Sequence, residues 1–389
     1  MVKGYGIIWI WLLGLLLMAC SSDGSENGEL DNQPTMLQIY VYAPDHMLPT
    51  RGNTDWVTAQ TGENTINTLQ LWVFETGTNT LVGYFEPTTT ADLNTAGNAV
   101  YQMAVTPQFV QNKPNVDVYV LANVAEANCN CVFDANASRT ELEAAMLKHE
   151  GGNDPFGLTT KVTTVPAAGL PMSGVLRDQV VTGESPVLRI GDGSLATVQL
   201  VRTVSKVRFL FSQMDNDEAV LHINSVRLTG NKILPKTEYL FLEEEYTGSE
   251  YHIDTSGGYD EGPIQMAGAI DEVAKTTDPL NYTYSTGMGA QEYETLITSG
   301  LTKETPELTL GGTFYLRETD QVLTGEIKYH INDGDEQTAT FSMHDGGDFS
   351  RNHTWVVYAF YGSTTLDILV VRVKEWSTVQ NLDYTVHNW

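Results

Sequence analysis

Eight histidines, three cysteines and an acidic majority are the residues of this 389-residue chain that could do chemistry. The histidines stand at 46, 149, 222, 252, 330, 344, 353 and 387, with no H-E-x-x-H pair among them. A helical metal site needs two imidazoles one turn apart, and that spacing is absent. Ser173 in GLPMSG lacks the strand–serine–helix setting that exposes a nucleophile. NDGDE at 332–336 carries calcium-type side chains without the distal bidentate glutamate of a calcium loop, and reads as a solvated hairpin turn. Asp215, Asp217 and Glu218 read as another solvated turn. Cys129 and Cys131 sit in a polar C-x-C loop with no further thiol or imidazole in the pattern, which leaves two incidental thiols or a local disulfide. Arg351 beside His353 opens a strand and reads as a sheet-edge pair. The sequence shows no catalytic motif, no metal-ligand motif and no cofactor loop, which removes every specific reason for proposing an enzyme.

Two residues do carry processing chemistry. Ile7 to Ala19 is an apolar run behind Lys3, shorter than the roughly 20 residues a spanning helix needs. It ends Leu17-Met18-Ala19-Cys20 and is followed by the polar tether SSDGSENGELDNQP. That arrangement fits a lipobox whose cysteine, Cys20, is acylated and becomes the new N-terminus; a plain secretory signal with an incidental cysteine is the alternative. The second residue is Arg51, the only Lys or Arg between Lys3 and Lys113. A protease that reads a cationic side chain has one target there, at the Arg51–Gly52 bond.

The elements around Arg51 give that target meaning. MLQIYVY places Leu37, Ile39 and Val41 on one parity and Gln38, Tyr40 and Tyr42 on the other, as a half-buried strand requires. Pro44 and Pro49 then break the ladder ahead of Arg51. The stretch reads as a strand built to be removed, or as an ordinary first strand followed by an ordinary surface arginine.

The rest of the chain is β-rich. ENTINTLQLWVFE at 63–75 and VDVYVLANV at 116–124 read as core strands, the latter apolar on both faces and hence central. Ser138 and Glu141 form a capping box, and Leu142, Ala145, Met146 and His149 share a face, which predicts a helix over 138–149. A second β-region begins near 185. LVRTVSKVRF puts Arg202, Lys206 and Arg208 opposite Val201, Val207 and Phe209. A hairpin turning at Asp333-Gly334 and the strong strands at 353–361 and 365–373 follow. Residues 243–300 are weakly patterned and read mainly as long loops. The tail LDYTVHNW alternates Leu382, Tyr384 and Val386. The formal charge is −28, and it remains near −25 beyond residue 51. That balance argues against nucleic-acid partners and against anionic membrane binding through a basic patch.

Lipobox, first strand, exposed arginine, ENTINTLQLWVFE, VDVYVLANV, GLPMSG, LVRTVSKVRF, SVRLTGN, RNHTWVVYAFY and V-K-E-W follow in this order. The order resembles the fimbrillin family of Bacteroidales, the subunits of type V pili. The resemblance implies an all-β fold of two tandem transthyretin-like Greek-key sandwiches, with one short helix in the first. It divides the chain into a signal and lipobox (1–20), a tether and removable strand (21–51), an N-terminal sandwich (52–184), a C-terminal sandwich (185–376) and a donor tail (377–389). It implies export as a palmitate-bearing outer-membrane lipoprotein through Cys20, then cleavage after Arg51 by an arginine-specific or trypsin-like protease. Loss of Leu37, Ile39 and Val41 would open a groove for a neighbour's Leu382, Tyr384 and Val386, with 366–373 as the other candidate donor. The partners implied are other fimbrial subunits in a head-to-tail polymer at the cell surface, and a host or bacterial surface receptor. A stalk subunit is favoured over a tip or anchor. The rival is a lipid-anchored surface glycan-binding protein, which would use exposed aromatics such as Tyr246, Tyr251 and Tyr259.

Overall fold

The computed structural model describes residues 34–42, 62–63, 65–87, 98–124, 129–149, 165–215, 218–246, 251–277, 309–343, 349–362 and 364–373. Cys20, Arg51, Gly52, Leu382, Tyr384 and Val386 lie outside the described residues. The first half contains β1 (Met36–Tyr42), β2 (Leu69–Glu75), β3 (Leu81–Phe85), β4 (Asn98–Ala104), α1 (Pro107–Asn112), β5 (Val116–Ala122), α2 (Arg139–Glu143), β6 (Met146–Lys148), β7 (Met172–Gln179), β8 (Val181–Glu184), β9 (Val187–Ile190), β10 (Thr197–Gln199) and β11 (Val201–Arg202). The second half contains β12 (Val204–Met214), β13 (Leu221–Thr229), β14 (Pro235–Tyr239), β15 (Ile253–Tyr259), β16 (Ile264–Gln265), β17 (Lys275–Thr276), β18 (Thr309–Arg317), β19 (Leu323–Ile331), β20 (Gln337–Met343), β21 (Thr354–Tyr361) and β22 (Leu366–Val373).

In the first half, β4, β1, β9, β10 and β8 form one sheet, and β11-β7-β5-β2-β3 the other. Their inner faces share a core of Leu37, Ile39, Val41, Leu71, Val73, Tyr101, Val118, Val120, Leu188 and Val198, among others. β5 is buried at all seven positions because both of its faces are covered. Val118 and Val120 point into that core, while Tyr119 and Leu121 pack beneath Leu142 of α2 together with Phe133, Leu240 and Phe241. This is why the strand lacks polar alternation. In the second half, β17-β12-β21-β22, with β18 also on β12, faces β16-β13-β19-β20 around Val207, Phe209, Phe211, Ile223, Ile327 and Trp355. The fold is an all-β arrangement of packed sheets. The β19–β20 hairpin turns at 332–336 as its sequence requires.

Several expectations need correction. β8 and β9 pair as a hairpin across 184/185, and β9 and β10 both pair with β1, so strand pairing carries the first pair of sheets through to Arg202. The capping box at Ser138 and Glu141 is present, but α2 ends at Glu143. Met146–Lys148 is extended instead, because it pairs with Thr237–Tyr239; tertiary pairing overrides the helical periodicity. The sandwich also holds a second helix, α1, started by Pro107 at its first turn and capped by Thr106. Within 243–277, β15 pairs with β14, so this part is not simply loop. Arg351 and His353 are fully buried and do not lie on a sheet edge.

The two halves are joined by buried polar chemistry. The sheet β15-β14-β6 crosses from one to the other. Lys206 Nζ reaches Glu63 Oε2 at 3.1 Å, with both side chains fully buried, and the Tyr315 hydroxyl donates to Glu63 Oε1 at 2.6 Å. Arg202 donates to the Glu63 carbonyl at 3.3 Å and to Asn352 Oδ1 at 3.2 Å. Nearby, Arg351 pairs with Glu318 and donates to the carbonyls of Tyr239 and Leu240, and His149 shares a 3.0 Å hydrogen bond with Glu238.

Candidate functional site: the slot of the first strand

β1 is an interior strand. One edge is antiparallel to β4 over its whole length, from Met36↔Ala104 to Tyr42↔Asn98. The other edge is served in parallel by two short strands in turn, β9 along Met36–Gln38 and β10 along Tyr40–Tyr42. The chain leaves β9 at Gly191 and returns as β10, and this excursion needs glycine. Gly191 has φ +123°, and a Cβ there would lie 2.2 Å from the Ser194 carbonyl oxygen and 2.6 Å from the Ala196 nitrogen. The ends of the slot are pinned by the Met36 N–H to the Pro186 carbonyl (2.9 Å), the Leu200 N–H to the Tyr42 carbonyl (2.8 Å) and the Thr35 hydroxyl against that of Ser185 (3.0 Å).

The side chains of β1 divide as the sequence parity requires. Leu37 and Ile39 are 0 % exposed and Val41 1 %, all in the core. Gln38, Tyr40 and Tyr42 are half-buried on the outer face, where the two tyrosine rings stack at 6.4 Å. No residue of β1 carries a formal charge, so withdrawing the strand breaks no ion pair. It does unmake ladders on both edges. Among the described strands β4 pairs with β1 alone, so β4 would keep only the packing of Tyr101 and Met103.

Other sequence candidates fall elsewhere. Ser173 lies buried on β7, and its hydroxyl donates to the Leu240 carbonyl at 2.5 Å, a tie between the halves with no base beside it. Cys129 forms an isolated bridge with Leu147, and both Cys129 and Cys131 pack against the outer cluster over β5. Tyr259 donates to Asp320 and lies beneath Lys232, Tyr251 is exposed, and Tyr246 lines a shallow groove beside β7 and β10. β22, the second candidate donor, is paired along its full length with β21, and Leu366 is buried in the second core.

The sequence did not single out Glu63 or Asn123. Glu63 is one acid among 49 in the chain, and only its meeting with Lys206 and Tyr315 marks it. Asn123 adopts a left-handed backbone at φ +60°. Its side chain accepts from the Asn67 N–H at 2.7 Å and donates to the carbonyls of Thr65 and Leu170, so it latches 65–67 to the GLPMSG segment. Polar residues within the apolar runs VDVYVLANV and LVRTVSKVRF were the available signals.

A sandwich with a chargeless, interior first strand paired on both edges has the geometry of a β-fold whose core an added strand could complete. Residues 37–202, from β1 through β11, match the family model of the major fimbrial subunit protein (FimA), and that region belongs to the family. That match makes the first pair of sheets similar to the major fimbrial subunit. Among solved structures, a candidate cell adhesion protein from Parabacteroides distasonis is similar at 17% identity and TM-score 0.50, covering 89% of this chain and 98% of that one. A fimbrial assembly protein from the same species matches at 14% identity and TM-score 0.45, over 88% and 99%. The tip fimbrial protein Mfa3 from Porphyromonas gingivalis, with a C-terminal truncation, matches at 12% identity and TM-score 0.47, over 88% and 100%. No curated protein matches the sequence.

Proposed function

We propose that this chain is a stalk subunit that polymerises by strand exchange through the β1 slot. It is exported as a lipoprotein through Cys20 and cut between Arg51 and Gly52 by an arginine-specific or trypsin-like protease. Residues 21–51 then leave with β1. The tail of a neighbouring subunit enters the slot, and Leu382, Tyr384 and Val386 replace Leu37, Ile39 and Val41. The outer membrane holds only the precursor, and the fibre is extracellular.

The observation that carries this reading is the position of β1, paired on both edges with wholly apolar inward side chains. Burying each of the three is worth roughly 1.5–3 kcal/mol, and an empty slot also leaves two strand edges unpaired. An incoming strand restores both terms. Because the contact runs from the tail of one subunit to the head of the next, it does not close and yields a fibre. The tail suits the role better than β22, whose withdrawal would strip an edge from the second sandwich.

The test is brief trypsin treatment of residues 21–389, with N-terminal sequencing and gel analysis for denaturant-sensitive ladders. The expected result is a new N-terminus at Gly52, with ladders that disappear when residues 377–389 are deleted. Resistance at Arg51 in a chain that stays monomeric would overturn the reading and favour a lipid-anchored glycan-binding protein.

A further inference from the structure

The outer face of the second sandwich carries a pair of imidazoles that the fimbrial role does not use. His222 on β13 and His330 on β19 are direct cross-strand partners. Their neighbours Leu221, Ile223, Ile327 and Tyr329 point into the core, so the two histidines share the opposite, half-exposed face. The rings are 4.6 Å apart and within 9° of parallel.

A polar relay sets one ring. Asn224 Nδ2 donates to Glu336 Oε2 at 2.8 Å, and Glu336 is itself paired with Lys328 at 3.0 Å. That fixes the amide so that Asn224 Oδ1 faces His330 Nδ1 at 2.7 Å and accepts a hydrogen bond from its N–H. The remaining nitrogen of His330, Nε2, then carries the lone pair. This is the arrangement that orients and tautomerises a metal-ligating histidine, whose other ring N–H is held by an outer acceptor. Among the described residues the His222 side chain makes only the ring contact with His330.

We infer that His222 and His330 form a two-imidazole site for a divalent transition-metal ion. Two imidazoles on one tetrahedral ion stand about 3.3 Å apart, nitrogen to nitrogen, for bonds of about 2.0–2.1 Å. The stacked rings hold their in-plane lone pairs side by side, so binding requires the His222 ring to turn out of the stack until its lone pair converges with that of His330 Nε2. Among the described residues no cluster of three or more His, Cys, Asp or Glu side chains could hold a metal, so water fills the remaining positions. Imidazole donors select copper, nickel or zinc over calcium or magnesium, with copper(II) bound more tightly than nickel or zinc.

The test uses untagged residues 21–389 titrated with Ni²⁺ by calorimetry, alongside His222→Gln, His330→Gln, the double variant and Asn224→Ala. The expected result is Ni²⁺ binding that each single histidine variant weakens by at least about 10-fold and the double variant abolishes. Asn224→Ala, which removes only the orienting acceptor, weakens binding by about 10-fold. The melting temperature without metal stays unchanged in all four, since these side chains leave the core intact. The proposal is overturned if the double variant binds Ni²⁺ as the unsubstituted chain does. It is equally overturned if only one histidine matters, or if the chain binds no Ni²⁺ at millimolar concentration.

Discussion

β1 and β12 hold equivalent places in the two halves, and they are built for opposite ends. Each is an interior strand with neighbours on both edges. Each sends an apolar row inward: Leu37, Ile39 and Val41 from β1, and Val207, Phe209 and Phe211 from β12. They differ on the other face. Gln38, Tyr40 and Tyr42 are half-buried on the outer face of β1, whereas β12 buries Lys206, Arg208 and Ser212 there, with Lys206 locked to Glu63 of the other half. Hydrophobic burial is non-directional, so any strand with the right alternation satisfies the β1 slot. Buried ion pairs require particular partners at particular distances, and one member cannot leave without stranding the other. The strand without charge is therefore the one whose withdrawal leaves no ionic partner behind, and the charged strand is the fixed frame.

The largest effect follows from breaking the frame. Glu63→Ala leaves the Lys206 ammonium buried near Arg202 and Arg208, and it is expected to cost about 3–5 kcal/mol in urea unfolding. The double variant Glu63→Gln, Lys206→Met removes both charges. It should recover much of that loss, because apolar groups of similar volume often replace a buried pair with little net cost. If Glu63→Ala costs no more than an exposed substitution, the junction is not the fixed frame described here.

A smaller effect comes from the slot in the uncut chain. Ile39→Ala removes apolar volume from a fully buried site, for an expected loss of about 2–4 kcal/mol, whereas Tyr40→Ala on the outer face should cost less than about 1. The contrast sharpens once β1 is removed. The amides of 98–104 should then lose hydrogen-exchange protection, because β4 has no other strand partner among the described residues, while those of β12 keep theirs. Strand exchange should restore protection to 98–104. Unchanged protection there after removal would mean that β4 is held by something other than β1.

How much of this the sequence discloses depends on the range of the interaction. β1 was legible from seven residues, because a half-buried strand writes its burial into its own alternation. β5 was legible because a strand covered on both faces has no polar row. The capping box was local and is present, but the helix after it was misjudged. Met146–Lys148 has helical spacing, and its extended state is decided by a ladder with Thr237–Tyr239, some ninety residues away. The end of the first sandwich was misplaced for the same reason: β9 and β10 are too short to be read as strands until β1 lies between them and β4. Arg351 reads as a sheet-edge residue in the sequence because its counter-charge, Glu318, and the carbonyls of Tyr239 and Leu240 are distant along the chain. Arg51, Cys20 and the tail carry the most pointed sequence signals, and in the proposed function they act through processing and partners rather than through the folded core.

The smallest effect separates the two strands by pH. Burial, opposed by Glu63, pushes the Lys206 ammonium down to about 8 from its ordinary 10.5. Between these values the unfolded chain keeps a proton that the folded chain has released. Stability then rises with pH, since the unfolded state binds more protons. From pH 8 to about 9.5 the gain should be on the order of 1–2 kcal/mol. Above 10 the trend reverses. Burial raises the hydroxyls of Tyr119 and Tyr259 to about 12, so the unfolded tyrosines ionise first and favour unfolding. The measurement is urea unfolding at pH 8.0, 8.75 and 9.5 on the unsubstituted chain, on Ile39→Ala and on the Glu63→Gln, Lys206→Met double variant. Ile39→Ala should keep the slope at a lower stability, because β1 contributes no charge. The double variant should be flat. A slope that survives in the double variant would place the titrating group outside the junction and dissolve the distinction between a charged frame and a chargeless, replaceable strand.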